Sequence, residues 1–185
     1  MNRRTLLASC AALCAPLAAG PALAQSTDPE NTLYLDLKSG RVVIQLLPDV
    51  APKTVAQIKT LTRQGFYNGT PFHRVIEGFM AQGGDPTGTG TGGSKLPDLP
   101  LEASQLHFLR GTCGMARASN PNSGNSQFFI MFAPAPSLDG QYTIWGRVVG
   151  GMDYVDQIKR GTGPNGQVVG DPDRIVKMTV AADVK

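Results

Sequence analysis

One arginine, Arg74, stands in the run Phe72-His73-Arg74-Val75-Ile76 and is followed at once by Gly78-Phe79-Met80-Ala81-Gln82-Gly83-Gly84-Asp85. Its neighbours are aromatic, thioether and amide side chains. A guanidinium carries five N–H donors in a fixed fork and keeps its proton at any relevant pH, so it donates hydrogen bonds without acting as a general acid. Gln82 and, further on, Gln127 are uncharged amides that can hold a peptide carbonyl or steer a guanidinium without competing for its charge. Met115-Ala116-Arg117-Ala118 and Ser126-Gln127-Phe128-Phe129-Ile130 add two more segments of the same character.

Other chemistries lack their residues. His73 and His107 have no second imidazole or carboxylate at ligand spacing, so no metal site is expected. Ser126 sits in Asn125-Ser126-Gln127 and not in the G-x-S-x-G elbow of a serine hydrolase. Gly88-Thr89-Gly90-Thr91-Gly92-Gly93 satisfies G-x-G-x-x-G, but that pattern holds a dinucleotide only where a helix follows. Pro97 and Pro100 forbid one here. The glycines are read instead as letting a loop fold tightly beside a groove.

These residues need a scaffold. Residues 32–37 and 41–46 alternate apolar and polar positions around Lys38-Ser39-Gly40, the pattern of a β-hairpin. Val55, Ile58 and Leu61 recur at threefold spacing between Pro52 and Gly65, which predicts an amphipathic helix with a glycine C-cap. Met152, Val155 and Ile158 predict a second, shorter helix ending at Gly161. Short strand-like runs fall at 72–75, 79–82, 112–115, 128–131, 144–149 and 174–180, so the chain reads as mainly β, a barrel or sandwich with two covering helices. Residues 85–100, rich in Gly, Thr and Pro, form a long loop inside this domain.

With Leu138-Asp139-Gly140 and Trp145-Gly146-Arg147-Val148, the three segments around Arg74, Arg117 and Gln127 match in order and approximate spacing the active-site signature of the cyclophilin-type peptidyl-prolyl cis-trans isomerases, which this chain resembles from about Asn31 to Val180. The resemblance implies a closed eight-stranded antiparallel β-barrel capped by two α-helices. It implies catalysis by Arg74 without a cofactor. Phe79, Met80, Phe129 and Leu138 would form the apolar socket for a proline ring, with Gln82, Ala116, Arg117, Gln127 and Tyr142 as further substrate contacts. At the position of Arg117 the family contacts substrate through its main chain, offering a strand edge. His73 would support the barrel and the placement of Arg74. The substrates implied are proline-containing polypeptides. A second reading, from another class, is an envelope chaperone that grips proline loops with turnover incidental.

The pattern departs from the family at Ser137, where cyclosporin-sensitive members carry tryptophan, and at Tyr142, where many carry histidine. Loss of an indole removes apolar area and an N–H donor, so weak cyclosporin binding is expected.

The N-terminus reads as an address. Arg3-Arg4 leads into an apolar run ending at Ala22-Leu23-Ala24, so residues 1–24 are expected to be a signal peptide, of twin-arginine or ordinary secretory type. Residues 25–185 then form one domain, expected in the periplasm or secreted, a monomer with no membrane attachment after cleavage. Arg3 and Arg4 account for two of the 17 basic residues, leaving 15 against 14 acidic ones. With no run of cations, nucleic acid is not an expected partner. Cys10 and Cys14 leave with the signal, so Cys113 has no internal disulfide partner and is read as an inert core thiol.

Overall fold

The computed structural model describes residues 28–184; the expected signal peptide lies outside them. The chain forms β1 (Thr32–Leu37), β2 (Gly40–Leu46), α1 (Pro52–Arg63), β3 (Arg74–Ile76), β4 (Met80–Gly83), β5 (Thr112–Met115), β6 (Phe128–Met131), β7 (Ile144–Gly150), α2 (Met152–Asp156) and β8 (Lys177–Val180). The strands make one antiparallel sheet in the order β3-β4-β6-β5-β7-β2-β1-β8.

The first helix ends as its sequence predicts. Gly65 adopts φ +69°, its N–H donates to Thr62 O and the Phe66 N–H donates to Leu61 O, the paired bonds of a Schellman motif. Its start is capped from afar, since the Ala51 methyl offers no hydrogen-bond acceptor. The Glu102 carboxylate accepts from the N–H groups of Lys53 and Thr54 at 3.0 and 2.9 Å and from Thr54 Oγ1 at 2.6 Å. The second helix stops at Asp156, short of the expected Gly161, because Gln157 and Ile158 already close onto Tyr154 and Val155 three residues back.

The expectation of a closed barrel is corrected. The sheet curls through 203° and stays open between its edge strands β3 and β8. Residues 174–176, expected to begin the last strand, run beside residues 69–72. There Gly69 N–H donates to Ile175 O, Ile175 N–H to Thr70 O and Phe72 N–H to Asp173 O. Pro71, which faces Arg174, has no N–H to extend that ladder. The outer edge of β3 is met instead by a loop, with Gly161 donating to Val75 O and Val168 to His73 O.

Period-2 alternation divides the apolar residues between two faces. Phe128 and Ile130 of β6 join the larger cluster, where Phe128 meets Trp145 edge-on at 5.7 Å and Val55, Ile58 and Leu61 of α1 pack. Phe129 and Met131 of the same strand join a second cluster with Met80, Phe108 and Ile144. Cys113 is fully buried in the first cluster, and its thiol pKa is raised by that burial, in keeping with an inert role.

Candidate active site

Strand register assembles the site. Arg74 on β3 stands opposite Gln82 on β4, Gln82 opposite Phe129 on β6, and Phe129 opposite Gly114 on β5. Directly paired residues share a face, so these four form one row across the sheet. Met80, paired with Ile76 and Met131, lies in the next row on that face.

A hollow of about 180 Å³ opens on this row, lined by Arg74, Phe79, Met80, Gln82, Ala116, Arg117, Phe129, Leu138 and Tyr142. Nine of the residues singled out from sequence are thus brought together. Its size suits one ring-sized side chain. Phe129 forms a wall, held edge-on by Tyr142 at 5.8 Å and stacked on Phe108 at 5.6 Å. Room for that ring depends on Gly114, where a Cβ would collide with Phe129 Cζ and come within 2.8 Å of Phe108. Phe79 reaches the rim from a tight turn in which its N–H donates to Ile76 O at 3.1 Å and Gly78 takes φ +67°.

The guanidinium of Arg74 is oriented from three sides. Nε donates to Asn165 O at 2.9 Å, while Nη1 donates to Gln82 Oε1 at 3.2 Å and lies 4.0 Å from Met80 Sδ. Among the described residues Nη2 has no partner, which leaves its two N–H donors unused. No carboxylate engages the group, so its charge is not neutralised by a neighbour within the described residues.

Arg117 folds away from the hollow's floor. Its Nε and Nη1 donate to Gln141 O and Ala118 O, and its guanidinium lies 4.5 Å over the Tyr142 ring. Ala116 N–H donates to Gln127 O at 2.9 Å just beyond the end of β5. Gln127 is half-buried and does not line this hollow. Its Oε1 accepts from Gln82 Nε2 at 2.9 Å, and its Nε2 donates to Gly90 O and Gly92 O at 3.0 and 2.8 Å. It lines a second, adjoining hollow of about 570 Å³ together with Gly90–Ser94 loop backbone, Ala116 and Asn125.

His73 is buried, and neither ring nitrogen makes a sound hydrogen bond, although the Pro71 carbonyl lies nearby. Its side chain therefore makes no hydrogen bond to Arg74. Burial lowers its pKa, with Asp85 acting in the opposite direction. His107 lies elsewhere, exposed and 2.7 Å from Asp139. Ser137 is exposed and does not line the hollow.

Sequence reasoning missed Asn165, Gly114 and Phe108. Pro164-Asn165-Gly166 carried a turn signal, and Asn165 takes φ +54°, which aims its carbonyl at Arg74. No local signal marks the other two, since each matters only through Phe129 across the sheet.

Comparison with known proteins bears on the whole domain. A family model for cyclophilin-type peptidyl-prolyl cis-trans isomerases matches residues 32–180. A probable peptidyl-prolyl cis-trans isomerase of Brucella suis is 56% identical over 173 residues, covering 88% of each chain. A peptidyl-prolyl cis-trans isomerase of Schizosaccharomyces pombe is 46% identical over 122 residues, covering 64% of this chain and 78% of its own. A crystal structure of a cyclophilin from Hirschia baltica aligns with TM-score 0.76 at 30% identity, over 86% of this chain and 77% of that one. A cyclophilin-type isomerase of Cryptosporidium parvum, crystallised in the presence of the dipeptide Ala-Pro, aligns with TM-score 0.74 at 30% identity, over 80% and 98%. The chain belongs to the cyclophilin-type peptidyl-prolyl cis-trans isomerases. Its activity is the interconversion of cis and trans X-Pro peptide bonds.

Proposed function

We propose that Arg74 is the catalytic residue and that the 180 Å³ hollow receives the proline ring. The barrier to rotation about an X-Pro amide is about 18–20 kcal/mol and uncatalysed exchange takes tens to hundreds of seconds. When the bond twists, conjugation is lost, the nitrogen lone pair localises, and the nitrogen becomes an acceptor that it is not in the planar state. A fixed donor aimed there binds the twisted form selectively. The observation that carries this reading is the unpartnered Nη2 of Arg74, a residue that lines the hollow with Phe79, Met80, Phe129 and Leu138, while its other nitrogens are tied to Asn165 and Gln82.

The hollow contributes a second effect. Phe79, Met80, Phe129 and Leu138 exclude water, and a twisted amide has a smaller dipole than a planar one, so a less polar medium lowers the barrier. Ala116 and the main chain of Arg117 offer a strand edge to the substrate backbone. The proline-containing peptide in the Cryptosporidium parvum crystals supports this choice of substrate. The comparison that tests the assignment is an NMR exchange assay on an Ala-Pro peptide, in which Arg74→Ala is expected to lose about 30- to 1000-fold in rate, or roughly 2–4 kcal/mol of transition-state stabilisation. Equal rates for the two proteins would overturn it.

The clients are proposed to be exported proteins, with the enzyme a monomer in the periplasm or secreted. Arg3-Arg4, the apolar run and Ala22-Leu23-Ala24 support this, as does a domain with one cysteine, fully buried. N-terminal sequencing of the enzyme recovered from the envelope should begin at Gln25, and an intact Met1 would contradict export by cleavage. Cyclosporin should bind weakly, because Ser137 offers no indole; inhibition at stoichiometric drug would refute that.

A further inference from the structure

Resting on the reading that Arg74 catalyses, we infer that Asp85 is a positioning residue, which holds the guanidinium through the glycine loop and two glutamine amides. The direction of the chain between them is forced. A guanidinium only donates, so Gln82 must turn Oε1 to Arg74 Nη1 and Nε2 away from it. Nε2 meets Gln127 Oε1, so the Gln127 NH2 must find acceptors of its own. Those acceptors are the carbonyls of Gly90 and Gly92.

The two carbonyls stand there because of Asp85. Its carboxylate, fully buried, accepts from Gly90 N–H at 2.7 Å and Gly92 N–H at 3.1 Å through Oδ2. Through Oδ1 it accepts from the N–H and Oγ1 of Thr87, both at 2.8 Å. Thus two of the three residues whose N–H groups bind Asp85, Gly90 and Gly92, are the ones whose C=O groups bind Gln127. Burial opposes ionisation of this carboxyl, but the bonds from Thr87, Gly92 and Gly90 outweigh it and leave the pKa below the ordinary value. The loop is closed around the anion. A Cβ on Gly92 would overlap Asp85 Oδ1, while the backbone there is not in the left-handed region.

Hydrogen-bond chains in a partly buried setting are coupled, and a double-mutant cycle measures the coupling. Asp85→Asn keeps the shape but replaces one accepting oxygen with a donor. By NMR exchange on an Ala-Pro peptide it is expected to lower kcat about 5- to 20-fold, and to shift the Arg74 Nε–Hε resonance. Gly92→Ala expels the carboxylate with Asp85 intact and should do the same. In an Arg74→Ala background both changes should alter the rate less than twofold. An unchanged kcat, or an equal loss with and without Arg74, overturns the inference; so does a change confined to KM, which would assign the loop to substrate contact alone. Failure of both variants to fold, seen by thermal melting, makes Asp85 a core residue and overturns it too. Full activity of Arg74→Ala by itself would instead sink the assignment of Arg74.

Discussion

Phe128 and Phe129 are neighbours on β6, 0% and 5% exposed, yet they belong to different parts of the molecule. Phe128 packs edge-on against Tyr67, Phe72 and Trp145 in the larger core. Phe129, on the other face, packs on Phe108 and Tyr142 and leaves its remaining side to the hollow beside Arg74. Burial alone does not separate a core residue from a site residue. The strand's alternation does, because it fixes which cluster each ring enters.

Substitutions can break that contrast at graded cost. Phe128→Ala should be the most damaging, losing about 3–5 kcal/mol of stability in urea unfolding, since every side of the ring is packed. Phe129→Ala should lose less stability and weaken peptide binding at least tenfold; equal stability losses would erase the distinction between the faces. Gly114→Ala should come next, at about 1–3 kcal/mol, by forcing Phe129 toward the hollow and so raising KM. Glu102→Ala removes the remote cap of α1 in the larger core and should cost about 1 kcal/mol in melting with kcat unchanged. A fall in kcat would show that the faces communicate through the helix.

The smallest effect is electrostatic. Hydrogen bonds from Arg63 and Lys59 lower the Glu30 pKa from 4.5 to about 2. A depressed carboxylate stabilises the fold above its unfolded value, and that contribution is lost as pH falls from 4.5 toward 2. Melting temperature should therefore decline over that interval, and less so in Glu30→Gln. Activity should not follow the same curve, since Glu30 lies on the terminal cluster with Arg63 and Asp183.

Local patterns carried much of this in the sequence. The hairpin alternation placed β1, the short strand-like runs placed β5 and β6, and Pro52 with Gly65 bounded α1. The residues of the hollow came from correspondence with a known signature, because a Phe or Met in such strands is more often core than pocket. That the barrel stays open was not legible. It turns on Pro71 facing Arg174 and on residues 161–168 taking the edge of β3, contacts between segments some 90–100 residues apart. The role of Asp85 was hidden for a related reason. An aspartate two residues before a threonine announces an Asx-turn, but nothing local says that the glycines it gathers will meet Gln127.

The central claim is that Arg74 binds the twisted imide and not the planar one, and its most direct test is to measure kcat and peptide Kd together for Arg74→Ala. The account predicts kcat lower by about 30- to 1000-fold with Kd changed less than about threefold. A Kd weakened by the same factor with kcat preserved would contradict it, because Arg74 would then hold the ground state.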